Sequence, residues 1–177
     1  MSQEHPKSQS ANLEGLLSPL RVAIRLETEG KRFFSELGAR VTGKSAKQTF
    51  EFLAGEEDKH IRRIGEFYHA LEQSAGARIP EIAESDIHER LARFNDALAS
   101  LKDEVGSSLS DVEAYRTALK FENGAEEFYL KQIAENDDPH LCQFYSWLVG
   151  EEAMHARVLN SCIQFAENPT AWFKNRE

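Results

Sequence analysis

The segment Gly55–His60 reads Gly-Glu-Glu-Asp-Lys-His, and the segment Gly150–His155 reads Gly-Glu-Glu-Ala-Met-His. Each copy ends in a Glu-x-x-His unit, whose two side chains project from the same face of a helix because they are three residues apart. Thirty residues before the glutamate of each unit, another glutamate interrupts an apolar helical stripe: Glu27 in the first half and Glu122 in the second. Four carboxylates and two imidazoles placed in this way favour a two-metal site inside a helical bundle.

The similarity between the two halves extends well beyond the motif. Placing residues 20–68 on residues 115–163 without a gap gives 12 identities in 49 positions. The simplest explanation is an internal repeat of helix pairs, residues 18–76 and residues 110–166. Such a repeat predicts a pseudo-two-fold axis through the centre of the bundle.

Apolar residues recur at helical spacing and no strand-like alternation is present, so the sequence predicts an all-α fold. Ser18-Pro19 predicts the start of the first helix, as a cap followed by proline, and residues 1–17 are expected to form a flexible N-terminal segment. Residues 18–177 are expected to form one domain. Within it, we expect residues 77–109 to form a long crossover that contains an extra short helix. Such a crossover joins helices 2 and 3 when these two helices run parallel.

Composition excludes several classes of partner. The net charge of −9 argues against a nucleic-acid partner and against an anionic membrane surface. No run of about 18 apolar residues is present, so no membrane span is expected. The N-terminus lacks the apolar core of a signal peptide, and the two cysteines, Cys142 and Cys162, form no CxxC pair. These features predict a cytoplasmic protein with free thiols.

Burying four carboxylates without compensation is very costly, and two divalent cations would offset their charge in full. Mixed oxygen and nitrogen ligands suit iron or manganese, with zinc as a further substitute. The alternative is a buried salt-bridge network, but no lysine or arginine occupies matching positions in the same stripes. The adjacent acids Glu56 and Glu151 are expected to face solvent or to contact the ligands from outside.

Four segments carry a family resemblance: Ala23–Glu27 with Phe33-Phe34, Gly55–His60, Ala118–Glu122 with Phe128-Tyr129, and Gly150–His155. Through them, residues 18–165 resemble the rubrerythrin branch of the ferritin-like superfamily. The resemblance implies a ferritin-like four-helix bundle that binds two iron ions. The ligands that it implies are Glu27, Glu57, His60, Glu122, Glu152 and His155.

The resemblance also implies a role for each ligand. Glu27 and Glu122 would be terminal carboxylates, and each histidine would bind one metal. Glu57 and Glu152 would bridge the two ions. Tyr129 would hydrogen-bond a ligand carboxylate, as a tyrosine near the site does in the family.

Two features depart from the family pattern. Rubrerythrins proper carry a rubredoxin domain that holds one iron with four cysteines, and we expect none here, so electrons would come from a separate donor. They also use an extra glutamate one turn after the third-helix ligand, where this chain has Ala125 and the nearest carboxylate is Glu126. The predicted site is therefore symmetric and closer in its ligand set to bacterioferritin.

The resemblance implies a di-iron oxidoreductase that reduces peroxide or dioxygen. Two alternatives stay open: a ferroxidase that stores or transfers iron, and a non-catalytic, metal-stabilised bundle. A homodimer or a higher homo-oligomer is expected. The pair Trp172-Phe173 is expected to pack as a hydrophobic latch on the bundle or on a partner.

Overall fold

The computed structural model describes residues 6–73 and 109–174. Its helices are α1 (Pro6–Arg40), α2 (Lys44–Gln73), α3 (Leu109–Glu135), α4 (Pro139–Glu167) and the short α5 (Pro169–Lys174). The four long helices form a bundle, and no strand occurs in the described segments, so the predicted all-α, ferritin-like four-helix architecture is confirmed. No described helix has the combined length and apolarity that crossing a bilayer requires.

Each half of the chain is an antiparallel helix hairpin with a three-residue turn. Helices α2 and α4 also run antiparallel. The rings of Phe67 and Phe144 stack at 4.4 Å near one end, and Thr49 Oγ1 lies 3.6 Å from Cys162 Sγ near the other. Because α3 is antiparallel to α4 as well, α2 and α3 run parallel. The crossover predicted to join them lies outside the described residues, apart from its last position, Leu109.

The prediction that the first helix begins at Ser18-Pro19 is wrong, because α1 begins at Pro6 and Pro19 lies inside it. A proline within a helix removes one hydrogen bond and crowds an earlier carbonyl, which costs about 3 kcal/mol. Leu17 and Leu20 on either side are 4% and 0% exposed, and each buried leucine contributes about 1.5–3 kcal/mol. Their burial offsets the cost, so most of the segment expected to be flexible is helical.

The ends of the second hairpin follow the sequence prediction. Asp138 caps α4, with Oδ1 accepting from the backbone N–H groups of His140 and Leu141 at 2.9 and 3.0 Å, and Pro139 follows at the first helical position. Trp172 is 5% exposed and its indole Nε1 donates to Ser161 Oγ at 3.1 Å. The tryptophan half of the predicted latch therefore packs on the bundle itself.

Two apolar clusters fill the bundle. Cluster 1 surrounds Phe34 and Phe50 near the α1–α2 turn. Cluster 2 surrounds Ile64 and Tyr145 near the α3–α4 turn. Along each long helix, the predicted ligands lie between the residues of cluster 1 and those of cluster 2. The fold thus places one polar layer between two apolar ones.

Asp111, in the first turn of α3, ties the two hairpins together. It is 0% exposed, and its Oδ1 accepts a hydrogen bond from the backbone N–H of Thr42, in the α1–α2 turn, at 3.3 Å. A Cβ atom on Gly43 would overlap its Oδ2. A side chain at residue 43 would therefore displace this carboxylate.

We expect Asp111→Ala to lower the free energy of unfolding by about 1–3 kcal/mol, because it removes a buried acceptor and its hydrogen bond to the α1–α2 turn. Urea denaturation measures the change. Glu113→Ala, at an exposed position in the same turn, is the matched control and should cost less than about 0.5 kcal/mol. Equal losses in the two variants would show that Asp111 does not connect the hairpins.

Candidate metal centre

The structure brings all six predicted site residues into the layer between the clusters. Their exposures are Glu27 2%, Glu57 1%, His60 1%, Glu122 0%, Glu152 1% and His155 0%. Their ligand atoms form two groups, and within each group all atoms lie within 4.8 Å of one another. The groups are Glu27, Glu57, His60 and Glu152, and Glu57, Glu122, Glu152 and His155.

Glu57 and Glu152 belong to both groups. Glu57 directs Oε2 towards His60 Nδ1 and Oε1 towards His155 Nδ1, each at 3.5 Å. Glu152 directs Oε1 and Oε2 to the same two nitrogens, at 3.6 and 3.7 Å. Each carboxylate therefore presents one oxygen to each half of the site, which is the arrangement that bridging ligands require.

The remaining ligands belong to one group each. We call Glu27 with His60 the first subsite, and Glu122 with His155 the second subsite. Glu27 Oε2 lies 2.8 Å from His60 Nδ1, and Glu122 Oε1 lies 3.1 Å from His155 Nδ1. The two imidazole rings stack at 5.2 Å with 13° between their planes. These matched contacts agree with the pseudo-two-fold relation that the repeat predicts.

Several buried atoms of the layer have no hydrogen-bond partner among the described residues. Among the predicted ligands they are Glu57 Oε1, Glu122 Oε1 and Oε2, Glu152 Oε1, His155 Nδ1, and the Nε2 atoms of His60 and His155. Buried polar atoms in folded proteins are normally paired. Because these atoms are carboxylate oxygens and imidazole nitrogens, the layer is compatible with a site for two metal ions.

The comparisons with known proteins agree with this geometry. A family model described as rubrerythrin matches residues 19–163. The chain belongs to the rubrerythrin family. A hypothetical protein from Pyrococcus furiosus superposes with a TM-score of 0.57 at 20% identity, over 86% of this chain and 90% of that one. At this identity the structural likeness shows the fold alone. A search of curated proteins gives no match.

Tyr129 lies where the family resemblance places a tyrosine in the rubrerythrin site. Its hydroxyl donates a hydrogen bond to Glu27 Oε1. Burial and the negative charge of Glu27 raise the pKa of Tyr129 well above its usual value, so the hydroxyl keeps its proton and remains a donor. The repeat places Phe34 at the corresponding position of the first half.

Glu56 and Glu151 were expected to face solvent or to contact the ligands from outside. The solvent alternative is wrong, because they are 2% and 0% exposed. Glu151 Oε2 lies 3.5 Å from His60 Nε2, so it contacts the ligand of the opposite hairpin from outside the site. Repetition of both acids in the two halves was the sequence signal for this role.

Two further features of this rubrerythrin site were not predicted from the sequence. The Trp147 ring meets the His60 ring edge-on, with centroids 5.6 Å apart. A Cβ on Gly30 would lie 3.0 Å from Phe121 Cε1 and 3.4 Å from Glu57 Cδ. The ring and the carboxyl group thus approach the backbone of α1 so closely that glycine fits this position best.

Hydrogen bonds and burial determine how protons are distributed when no cation is bound. Burial, followed by a hydrogen bond with Glu57 and the charge of Glu57, raises the pKa of Glu27 to about 8. Burial alone would also raise the pKa of Glu57, but hydrogen bonds with Glu27, His155 and His60 lower it. Of these two carboxyl groups, Glu27 therefore keeps its proton to the higher pH.

The pKa values of the two histidines shift in the opposite direction to the one that burial alone would cause. Burial lowers the pKa of an imidazole, but the charge of Glu27 at His60 and of Glu122 at His155 outweighs it. Both pKa values lie well above 6.5. Burial, followed by the charge of Glu122, also raises the pKa of Glu152. Protons thus compensate part of the negative charge that two cations would compensate.

Metal titration tests the bridging prediction. We expect Glu57→Ala to abolish binding of both ions, because Glu57 belongs to both ligand groups, whereas Glu27→Ala weakens mainly one. Calorimetric titration of the metal-free variants with Co(II) measures stoichiometry and affinity. Glu29→Ala, at an exposed position near Glu27, is the control and should bind as the parent does. Equal losses in Glu57→Ala and Glu27→Ala would contradict a bridging role for Glu57.

We expect the metal-free protein to lose thermal stability as pH rises from about 5 to about 8. The pKa of Glu27 is raised from 4.5 to about 8 and the pKa values of both histidines are raised above 6.5, so the folded chain holds more protons than the unfolded chain in this range and the free energy of unfolding falls as pH rises. Metal affinity should rise over the same range, because binding must displace these protons. Circular dichroism melting with and without Co(II) measures both effects.

In the same pH series, His60→Gln should reduce the slope of melting temperature against pH. His69→Gln, at an exposed position on α2, should leave it unchanged. A metal-free protein that became more stable as pH rose would contradict the assigned protonation.

Proposed function

We propose that this rubrerythrin-family protein is a non-haem di-iron oxidoreductase that reduces peroxide, or dioxygen, with electrons from a separate donor. The observation that carries the proposal is the pair of ligand groups that share Glu57 and Glu152. Shared carboxylates hold two ions side by side, which suits a two-electron reaction at one place. Family membership over residues 19–163 supports the same reaction class.

The donor set favours iron. Each ion would meet carboxylate oxygens and one imidazole nitrogen, a mixture that suits iron and manganese, whereas structural zinc sites are commonly closed and rich in thiolate. Four carboxylates also balance the charge of two divalent ions. Two ferrous ions would supply two electrons, and with two protons these convert one hydrogen peroxide to two waters while the metals act as Lewis acids.

The chain itself would position the ions and keep water away. The Glu57 and Glu152 carboxylates lie between the two histidines, and the Tyr129 hydroxyl fixes one oxygen of Glu27. Clusters 1 and 2 close the layer from both ends of the bundle. Fixed orientation of ligands and a dry surrounding are what a protein contributes to a metal centre.

Further parts of the proposal concern partners and location. The electron donor would be a separate molecule, the protein would act in the cytoplasm, and it would form a homodimer or a higher homo-oligomer. The ferroxidase alternative needs the same centre but also a closed shell of many subunits if iron is to be stored. Molecular mass in solution distinguishes these assemblies.

The proposal is tested by anaerobic loading of the metal-free protein with two Fe(II) per chain, followed by one hydrogen peroxide. We expect both ferrous ions to be oxidised and the peroxide to be consumed, with repeated turnover when an external reductant is added. Remaining ferrous iron and remaining peroxide are measured independently. Glu122→Gln should lower the rate by about 10–100-fold, and Glu127→Gln, at an exposed position of the same helix, should not.

Each other outcome would overturn the proposal. Oxidation of many iron ions per chain, with retention of the product in a large assembly, would indicate iron storage. Two bound ions that react with neither peroxide nor dioxygen would indicate a metal-stabilised bundle. Binding of fewer than two ions would contradict the two-metal centre itself.

A further inference from the structure

The six ligand positions follow the internal repeat, but some of the residues around them do not. Tyr129 in the second half corresponds to Phe34 in the first. Lys59, between the two residues of the first Glu-x-x-His unit, corresponds to Met154 in the second. Symmetric ligands are therefore held in asymmetric surroundings.

The terminal carboxylates show the first consequence. Glu27 has a partner for each oxygen: the Tyr129 hydroxyl at Oε1 and His60 Nδ1 at Oε2, 2.8 Å away. Neither oxygen of Glu122 has a hydrogen-bond partner among the described residues, and its 3.1 Å contact with His155 Nδ1 lacks hydrogen-bond alignment. The carboxylate of the first subsite is thus fixed in orientation, and that of the second subsite is less so.

The outward nitrogens of the two histidines show the second consequence. His60 Nε2 lies 3.5 Å from Glu151 Oε2. This is a charge contact by distance and not a hydrogen bond, because His60 Nε2 has no hydrogen-bond partner in the part of the chain that the structure describes. His155 Nε2 also has no hydrogen-bond partner there, and the described carboxylates that form ion pairs with this ring contact its Nδ1 instead.

The residues beside the two outer acids also differ between the halves. The equivalent of Glu151 is Glu56, and Lys59 Nζ lies 2.5 Å from Glu56 Oε1. At the position equivalent to Lys59, Met154 is 1% exposed and packs in cluster 1. The two acids therefore have different neighbours on their own helices.

We propose that the first subsite binds its metal ion more tightly than the second, and that the ion in the second subsite is the exchangeable one. The inference rests on the proposed function only in requiring two bound ions. Groups that orient a ligand from outside the coordination sphere typically change metal affinity by about 10–100-fold. Because Glu27 has such a group in Tyr129, whereas neither oxygen of Glu122 has a hydrogen-bond partner among the described residues, we expect a difference of about that size.

Unequal binding steps alone would not establish this, because two adjacent cations repel each other even in a symmetric site. Half-site variants remove the repulsion, since each retains one complete subsite. We therefore compare His60→Ala with His155→Ala, which are equivalent under the repeat and control for each other. The probe is Co(II), followed by calorimetry and by its visible absorption, in metal-free protein at one alkaline pH.

We expect His155→Ala to bind one Co(II) with the affinity of the tighter step of the parent protein, and His60→Ala to bind about 10–100-fold more weakly. Equal affinities, or the reverse order, would overturn the inference and leave the two-metal centre intact. Fewer than two ions bound by the parent protein would instead overturn the proposed function.

A second measurement needs no ligand to be removed. Tyr129→Phe should weaken the tighter step of the otherwise intact protein by about 10-fold and leave the weaker step unchanged. Tyr145→Phe is the matched control, because this buried tyrosine stacks on Tyr129 at 5.9 Å and belongs to neither ligand group. An effect of Tyr129→Phe on the weaker step alone, or none on either, would contradict the assignment.

Discussion

Four carboxylates and two imidazoles share one buried layer between two apolar clusters, and the rest of the structure depends on compensating their charge. An ion in an apolar interior is very unfavourable without a partner, and among the six ligands the only groups that can carry positive charge are the two imidazoles. The raised pKa values of Glu27 and the histidines keep protons in the layer, and these protons compensate part of its charge in the metal-free chain. Two divalent cations would compensate all of it and would also satisfy the unpaired oxygens.

The helices fix the geometry of this layer because each carries its ligands in the middle of its length. Along each helix, apolar residues of cluster 1 lie on one side of the ligands, and apolar residues of cluster 2 lie on the other side. Packing on both sides holds the helices in register, so a Glu-x-x-His spacing on two of them becomes a centre with shared carboxylates. The same packing excludes water, which strengthens every electrostatic interaction within the layer.

Much of this layer could be predicted from the sequence, because equal spacing in the two halves picks out its six candidate ligands without any knowledge of packing. The burial of Glu56 could not. Its neighbour Glu57 lies on the apolar stripe. Because adjacent residues are about 100° apart around a helix, Glu56 was expected to lie outside that stripe. In a bundle, however, α2 packs against two neighbouring helices, so its buried face is wide enough for both. The start of α1 was also missed, because burial of Leu17 and Leu20 outweighs the local preference of proline for a helix end.

Repetition of a helix pair explains why the ligands are symmetric, and it also explains how the two subsites can differ. A repeated unit supplies each half with the same carboxylates and imidazole, while positions that touch a ligand from outside are free to diverge. A single hydroxyl separates tyrosine from phenylalanine at residues 129 and 34, yet it determines whether a terminal carboxylate is held by a donor. Repulsion between two ions would act equally on both subsites, so in our proposal these outer contacts would set the order in which the subsites fill.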